Sequence, residues 1–129
     1  MNAQAAIGLG FSSTADAEAI TRVVRMAAER AGANAAALHT SARKRNSENL
    51  RQAAQSLGLD LVFHDDTALR QRDAEVVSRS SLVERLVGVG SLAEAAALVG
   101  AGLGARLIVC KFNLDGVSCA VALPPEDRI

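Results

Sequence analysis

The chain has 129 residues, half of them apolar, and its 14 basic and 14 acidic residues cancel. That length suits one domain able to bury its own core, and the apolar share excludes a disordered chain. Zero net charge, with three Phe and no Tyr or Trp, argues against a general nucleic-acid binder, which needs a basic excess or a stacking platform.

In chain order, Ala5-Ala6-Ile7-Gly8-Leu9-Gly10 reads as a first strand ending in a Gly-x-Gly turn. Phe11-Ser12-Ser13-Thr14 follows, rich in helix N-cap residues. Ile20, Val23, Val24 and Ala27 then recur at helical spacing, and Gly32 is a natural stop. Ala35-Ala36-Ala37-Leu38-His39 reads as a second strand, and the polar, basic stretch from Thr40 to Asn46 as a loop. Ser47 to Leu57 is a helix with Leu50, Ala53, Ala54 and Leu57 on one face and Gly58 as its stop. Leu59 to His64 is a third strand, and Asp65-Asp66-Thr67 caps a short helix running to about Gln71.

Ser80 to Leu86 reads as another helix. Next, Gly88-Val89-Gly90 turns directly into a helix opened by Ser91, with Glu94 at the spacing of a capping-box partner. Arg106 to Cys110 is a buried-looking strand, Asn113-Leu114-Asp115-Gly116 a hairpin signal, and Val117 to Leu123 the returning strand. The order βαβαβααα, then ββ, predicts a single three-layer α/β domain over residues 1–123 with a mixed, mostly parallel sheet and a C-terminal β-hairpin. Residues 124–129 are expected to form an exposed tail.

The N-terminal residues lack the basic region of a secretory signal, and two cysteines, Cys110 and Cys119, fit a reducing compartment. The apolar stretch from Leu86 to Leu103 is broken by glycines, Ser91 and Glu94, so no membrane span is expected. A cytoplasmic protein with no membrane partner is the expectation. The two cysteines are expected to be free, buried thiols near one another across the hairpin.

Gly8-x-Gly10 after a strand is half of a dinucleotide fingerprint. Ser13 stands where the third glycine belongs, and His39 and Thr40 stand where an acidic residue is needed, so no nicotinamide cofactor is expected. Two readings stay open for this turn: a tight strand-to-helix connection, or an anion cradle of backbone N–H groups with Ser12 and Ser13. Thr40 and Lys44 follow the second strand, at the edge where open α/β sheets bind ligands. Lys44, with Arg43 and Arg45, either pairs with carboxylates or phosphates or is a solvated basic loop.

His39 and His64 both fall at strand ends, without the Asp, Glu or Cys neighbours of a metal site, so no metal is expected. Glu94 either completes the capping box with Ser91 or reaches a ligand at the helix start. Lys111 is either a charged edge residue or a ligand contact.

These pieces together resemble the CobE family of cobalamin biosynthesis, which is similar to the C-terminal domain of CbiG. The resemblance spans most of the chain: Ile7-Gly8-Leu9-Gly10, Thr40 with Lys44, the block Val87-Gly88-Val89-Gly90-Ser91-Leu92-Ala93-Glu94-Ala95-Ala96-Ala97-Leu98, and the final strands around Lys111. The chain departs from the family pattern where Phe11-Ser12 replaces Cys-Arg, and where Ser47 stands three residues after Lys44 with Glu48 next.

The resemblance implies a part in building the corrin ring, with a corrin-type tetrapyrrole intermediate as ligand. The expected ligand-binding residues are Gly8, Gly10, Ser12, Ser13, Thr40, Lys44, Gly88, Gly90, Ser91, Glu94 and Lys111. A precorrin or hydrogenobyrinate-type polycarboxylate suits glycine-rich helix starts and lysines. The resemblance also implies an alternative: an enzyme that opens a precorrin lactone and releases acetaldehyde, with Glu94 or His39 as base and backbone amides at the oxyanion. A third reading is a domain that docks on another enzyme of the pathway.

Overall fold

The structure is a computed structural model and describes residues 4–125. Strand β1 (Ala5–Phe11) leads into helix α1 (Ala17–Ala31), then β2 (Ala35–Ser41), α2 (Glu48–Leu57) and β3 (Asp60–His64). Three helices follow, α3 (Asp66–Arg70), α4 (Ser81–Val87) and α5 (Leu92–Ala101), before the hairpin of β4 (Arg106–Leu114) and β5 (Val117–Leu123). The five strands lie in the order β3-β2-β1-β5-β4. β1 is parallel to β2, and β2 to β3, whereas β5 is antiparallel to both β1 and β4. The domain is thus a single α/β unit with a mixed sheet and a C-terminal hairpin, as its pattern predicts.

Alternation along β1 builds both faces of the sheet. Ile7 and Leu9 are buried with Ile20, Val23 and Val24 of α1, with Leu50 and Ala53 of α2, and with Val117, Cys119 and Val121 of β5. Residues of the opposite face are small. A Cβ added to Gly8 would lie 1.8 Å from the Ala93 carbonyl oxygen of α5. Ala120 and Ala122 of β5 meet Ala93 and Ala97 on this face. The glycine at position 8 is therefore what lets α5 settle directly onto the sheet.

Several boundaries differ from the sequence pattern. The stretch after His39 is not a loop from Thr40 on: Thr40 and Ser41 complete β2, and Ala42–Lys44 is one 3-10 turn. Thr40 is accommodated in the sheet because its hydroxyl donates to the Leu9 carbonyl at 2.6 Å. Gly8 and Gly10 lie within β1, which runs to Phe11, and α1 begins only after Asp16, whose carboxylate accepts the Ala19 N–H at 2.8 Å. The first strand is therefore not followed by a glycine-rich helix start. β4 extends four residues past Cys110, and Asp115 and Gly116 turn the hairpin with φ of 54° and 77°, the left-handed pair of a two-residue turn.

Cys119 is buried and pairs in register with Phe112, while Cys110 is exposed. Both thiols are free, but only Cys119 is a buried one, and burial pushes it up to about 12. Of the expected exposed tail, Pro124 is half-buried and only Pro125 is exposed among the described residues; residues 126–129 lie outside the described residues. No helix among the described residues is long and apolar enough to cross a membrane.

Candidate functional site

The carboxyl ends of β1 and β2, the hairpin and the start of α5 surround a cleft of about 730 Å³. This is the crevice beyond the strand ends where α/β sheets place ligands, and its volume falls in the usual range for small-molecule sites. β1 contributes Gly10 and Phe11, followed by Ser12 and Ser13. The end of β2 and the turn after it contribute Ser41, Arg43 and Lys44, the hairpin Lys111, Asn113, Gly116 and Ser118, and the α5 start Ser91, Leu92 and Ala93. α4 forms the remaining wall with Leu82, Val83, Leu86 and Val87.

Six of the residues singled out in the sequence thus meet in one cleft: Gly10, Ser12, Ser13, Lys44, Ser91 and Lys111. The other five lie outside its lining, and each has a partner within the fold. Gly8 admits α5, and the Thr40 hydroxyl bonds Leu9. Gly88 caps α4 in the left-handed region at φ 89°, its N–H donating to the Glu84 carbonyl. The Gly90 N–H donates to the Asp73 carboxylate at 2.8 Å.

Glu94 is buried, and its carboxylate works differently from a capping box. Ser91 Oγ does accept the Glu94 N–H at 3.2 Å, but the carboxylate turns away from Ser91. It accepts the N–H groups of Val77 and Ser78 at 2.7 and 2.9 Å, the Ser78 hydroxyl at 2.9 Å and the Lys111 N–H at 2.8 Å. Burial alone would push this carboxyl up, but the Lys111, Ser78 and Val77 N–H groups and the Ser78 hydroxyl outweigh it and hold the group below its ordinary value. Glu94 thereby ties the strap before α4, the start of α5 and β4 into one frame behind the cleft.

His39 and His64 also stand apart from the cleft lining. Their rings stack at 5.2 Å with Nδ1 of His39 and Nε2 of His64 3.0 Å apart. Burial and the neighbouring His64 lower His39 to about 4, and burial lowers His64. No group of three or more potential metal ligands occurs among the described residues.

Charge in the cleft is one-sided. The lining contains no carboxylate, while three cations reach it. Arg43 is held by a two-point bond to Asp66, at 3.2 and 2.7 Å. Neither Lys44 nor Lys111 forms an ion pair among the described residues. The Lys44 ammonium sits 4.5 Å above the Phe11 ring, and partial burial lowers its pKa. A partly desolvated ammonium without a counter-charge gains from an arriving anion.

The apolar α4 wall and Phe11 were not singled out in the sequence as functional. The available signal was the repeat of Leu82, Val83, Leu86 and Val87, which has the spacing of one helix face.

A family model described as cobalamin synthesis G C-terminus matches residues 5–122 of the chain. Among solved structures, CobE, a protein from the cobalamin (vitamin B12) biosynthetic pathway, is 28% identical, over 99% of this chain and 95% of that one, with a TM-score of 0.89. The cobalamin biosynthesis protein chiG from Agrobacterium tumefaciens str. C58 is 31% identical, over 95% of this chain and 99% of that one, with a TM-score of 0.76. No curated protein matches the sequence.

Proposed function

The chain belongs to the cobalamin synthesis G C-terminus family and is a protein of cobalamin biosynthesis, and on that premise we propose that its cleft binds a corrin-type tetrapyrrole intermediate. One observation carries the reading: in a chain of zero net charge, the cleft holds Lys44 and Lys111 unpaired among the described residues and no carboxylate at all. Corrin precursors carry acetate and propionate groups around the ring, and such groups are natural partners for ammonium ions and hydroxyls. Lys44 and Lys111 take ring carboxylates, Ser12, Ser13 and Ser91 supply hydroxyls, and Gly10 leaves room at the floor.

Binding is better supported than lactone opening. Glu94 and His39, the candidate bases, lie outside the cleft lining, and both oxygens of Glu94 already accept hydrogen bonds. A general base needs hydrogen-bond reach to the proton it removes.

Titration with hydrogenobyrinic acid, followed by the ring's visible absorbance, tests the reading. A saturable spectral change, weakened in Lys44→Ala, is expected. Absence of any change with hydrogenobyrinic acid and with precorrin extracts would end it. An acetaldehyde assay on the lactone-bearing intermediate distinguishes turnover from binding.

A further inference from the structure

Leu82 and Leu86 are 56% and 58% exposed, although they stand one turn apart on a helix whose other apolar residues are inward. Val83 and Val87 of the same helix pack with Leu69, Val89, Ala95 and Ala96. α4 is therefore seated by one pair of residues and presents the second pair outward. Those two leucines line the same cavity as Lys44 and Lys111.

The helix is also held firmly at both ends. The Ser80 N–H donates to the Gly90 carbonyl at 2.7 Å, closing the excursion that carries α4 into a loop with a pinned base. Arg79 reaches Asp73 and Glu84, and Arg70 donates to the Val87 carbonyl at 3.0 Å. An apolar wall that is exposed yet braced in this way is preorganised for contact.

We propose that Leu82 and Leu86 form a platform for the apolar face of the macrocycle, so that α4 selects ring-bearing polycarboxylates over open-chain ones. The inference rests on the reading of the cleft as a tetrapyrrole site and adds the residues that decide its specificity. The occupant follows from continuity: one cavity joins two leucines to two unpaired ammonium groups, which matches a ligand with a flat apolar body and a charged rim.

The test compares hydrogenobyrinic acid with tricarballylate, a polycarboxylate without a ring, on wild type, Leu82→Ser/Leu86→Ser and Leu82→Met/Leu86→Met. Both positions are more than half exposed, so the serine variant should fold, which circular dichroism checks. The serine variant should bind the ring roughly tenfold or more weakly, the methionine variant should restore binding, and tricarballylate should bind wild type and serine variant alike. Undiminished ring binding by the serine variant overturns the platform but leaves the tetrapyrrole site standing. No ring binding by wild type overturns both. A wild-type dimer that the serine substitutions dissociate in sedimentation would mean that a second copy covers α4, and would overturn the platform as well.

Discussion

The carboxylate of Glu94 accepts the backbone N–H of Lys111 at 2.8 Å, so the start of α5 is fastened to the strand that presents a cleft lysine. The remaining oxygen takes Val77 and Ser78. Glu94→Gln places an amide NH2 among N–H donors and should cost about 2–3 kcal/mol of stability, read as a lower urea midpoint at pH 7. The folded carboxyl lies below its ordinary 4.5, so its contribution is complete above that value and is lost as pH falls through the folded one. The drop in midpoint from pH 7 to 3 should accordingly be smaller in the variant than in wild type. An equal drop in both would remove Glu94 from this role.

His39 carries the opposite chemistry into a nearby window. The folded imidazole stays neutral down to about 4, whereas the unfolded one takes its proton near 6.5. Stability from this group is fully present above pH 6.5 and declines as pH falls toward 4, because the unfolded chain binds the proton first. His64 is lowered too and acts in the same direction. Imidazole resonances followed by NMR should show His39 still neutral at pH 5.5. Titration near 6.5 would contradict the packed histidine pair.

Gly8 and Gly10 look alike in sequence but should respond differently to a methyl group. A Cβ at Gly8 meets the backbone of Ala93 at 1.8 Å, while one at Gly10 meets only the Leu92 side chain at 3.6 Å. Gly8→Ala should therefore cost about 3 kcal/mol or more as α5 is forced off the sheet, and Gly10→Ala under about 1 kcal/mol. Thermal unfolding of the two variants side by side decides the matter.

Lys44→Ala and Lys111→Ala should each weaken hydrogenobyrinic acid binding by roughly tenfold, the size expected for one charge-assisted contact. Both should also flatten its salt dependence. Arg43→Ala tests a different situation, because that guanidinium is already engaged by Asp66; its effect on affinity should be smaller. A larger loss at Arg43 than at either lysine would reverse the assignment.

Helix periodicity and turn residues made the architecture readable. Ile20, Val23, Val24 and Ala27 face the core as their spacing requires, and Gly32 and Gly58 end α1 and α2 in the left-handed region. The site was readable only in part, because local pattern does not distinguish a glycine that cradles a ligand from one that admits a helix. Gly8 is resolved by Ala93, which lies far along the chain. Glu94 shows the same limit: its spacing from Ser91 is that of a capping box, yet its carboxylate partners come from the strap and β4. The leucines of α4 have the spacing of core residues, and only their placement over the cleft gives them another meaning.

Four acidic residues of this chain turn their carboxylates toward its own backbone, and others pair with arginines. Asp16 takes the Ala19 N–H, Asp65 that of Ala68, Asp73 that of Gly90, and Glu94 three more. A balanced sum of charges therefore conceals a cleft whose charged lining is all cationic, with Arg43 held by Asp66 and the two lysines in no ion pair among the described residues. On the proposed reading, such a cleft would attract a polyanion through a local field with no overall pull. The protein's encounter rate with a polycarboxylate should fall steeply with ionic strength, as for a basic protein, while its solubility and non-specific adhesion stay those of a neutral one.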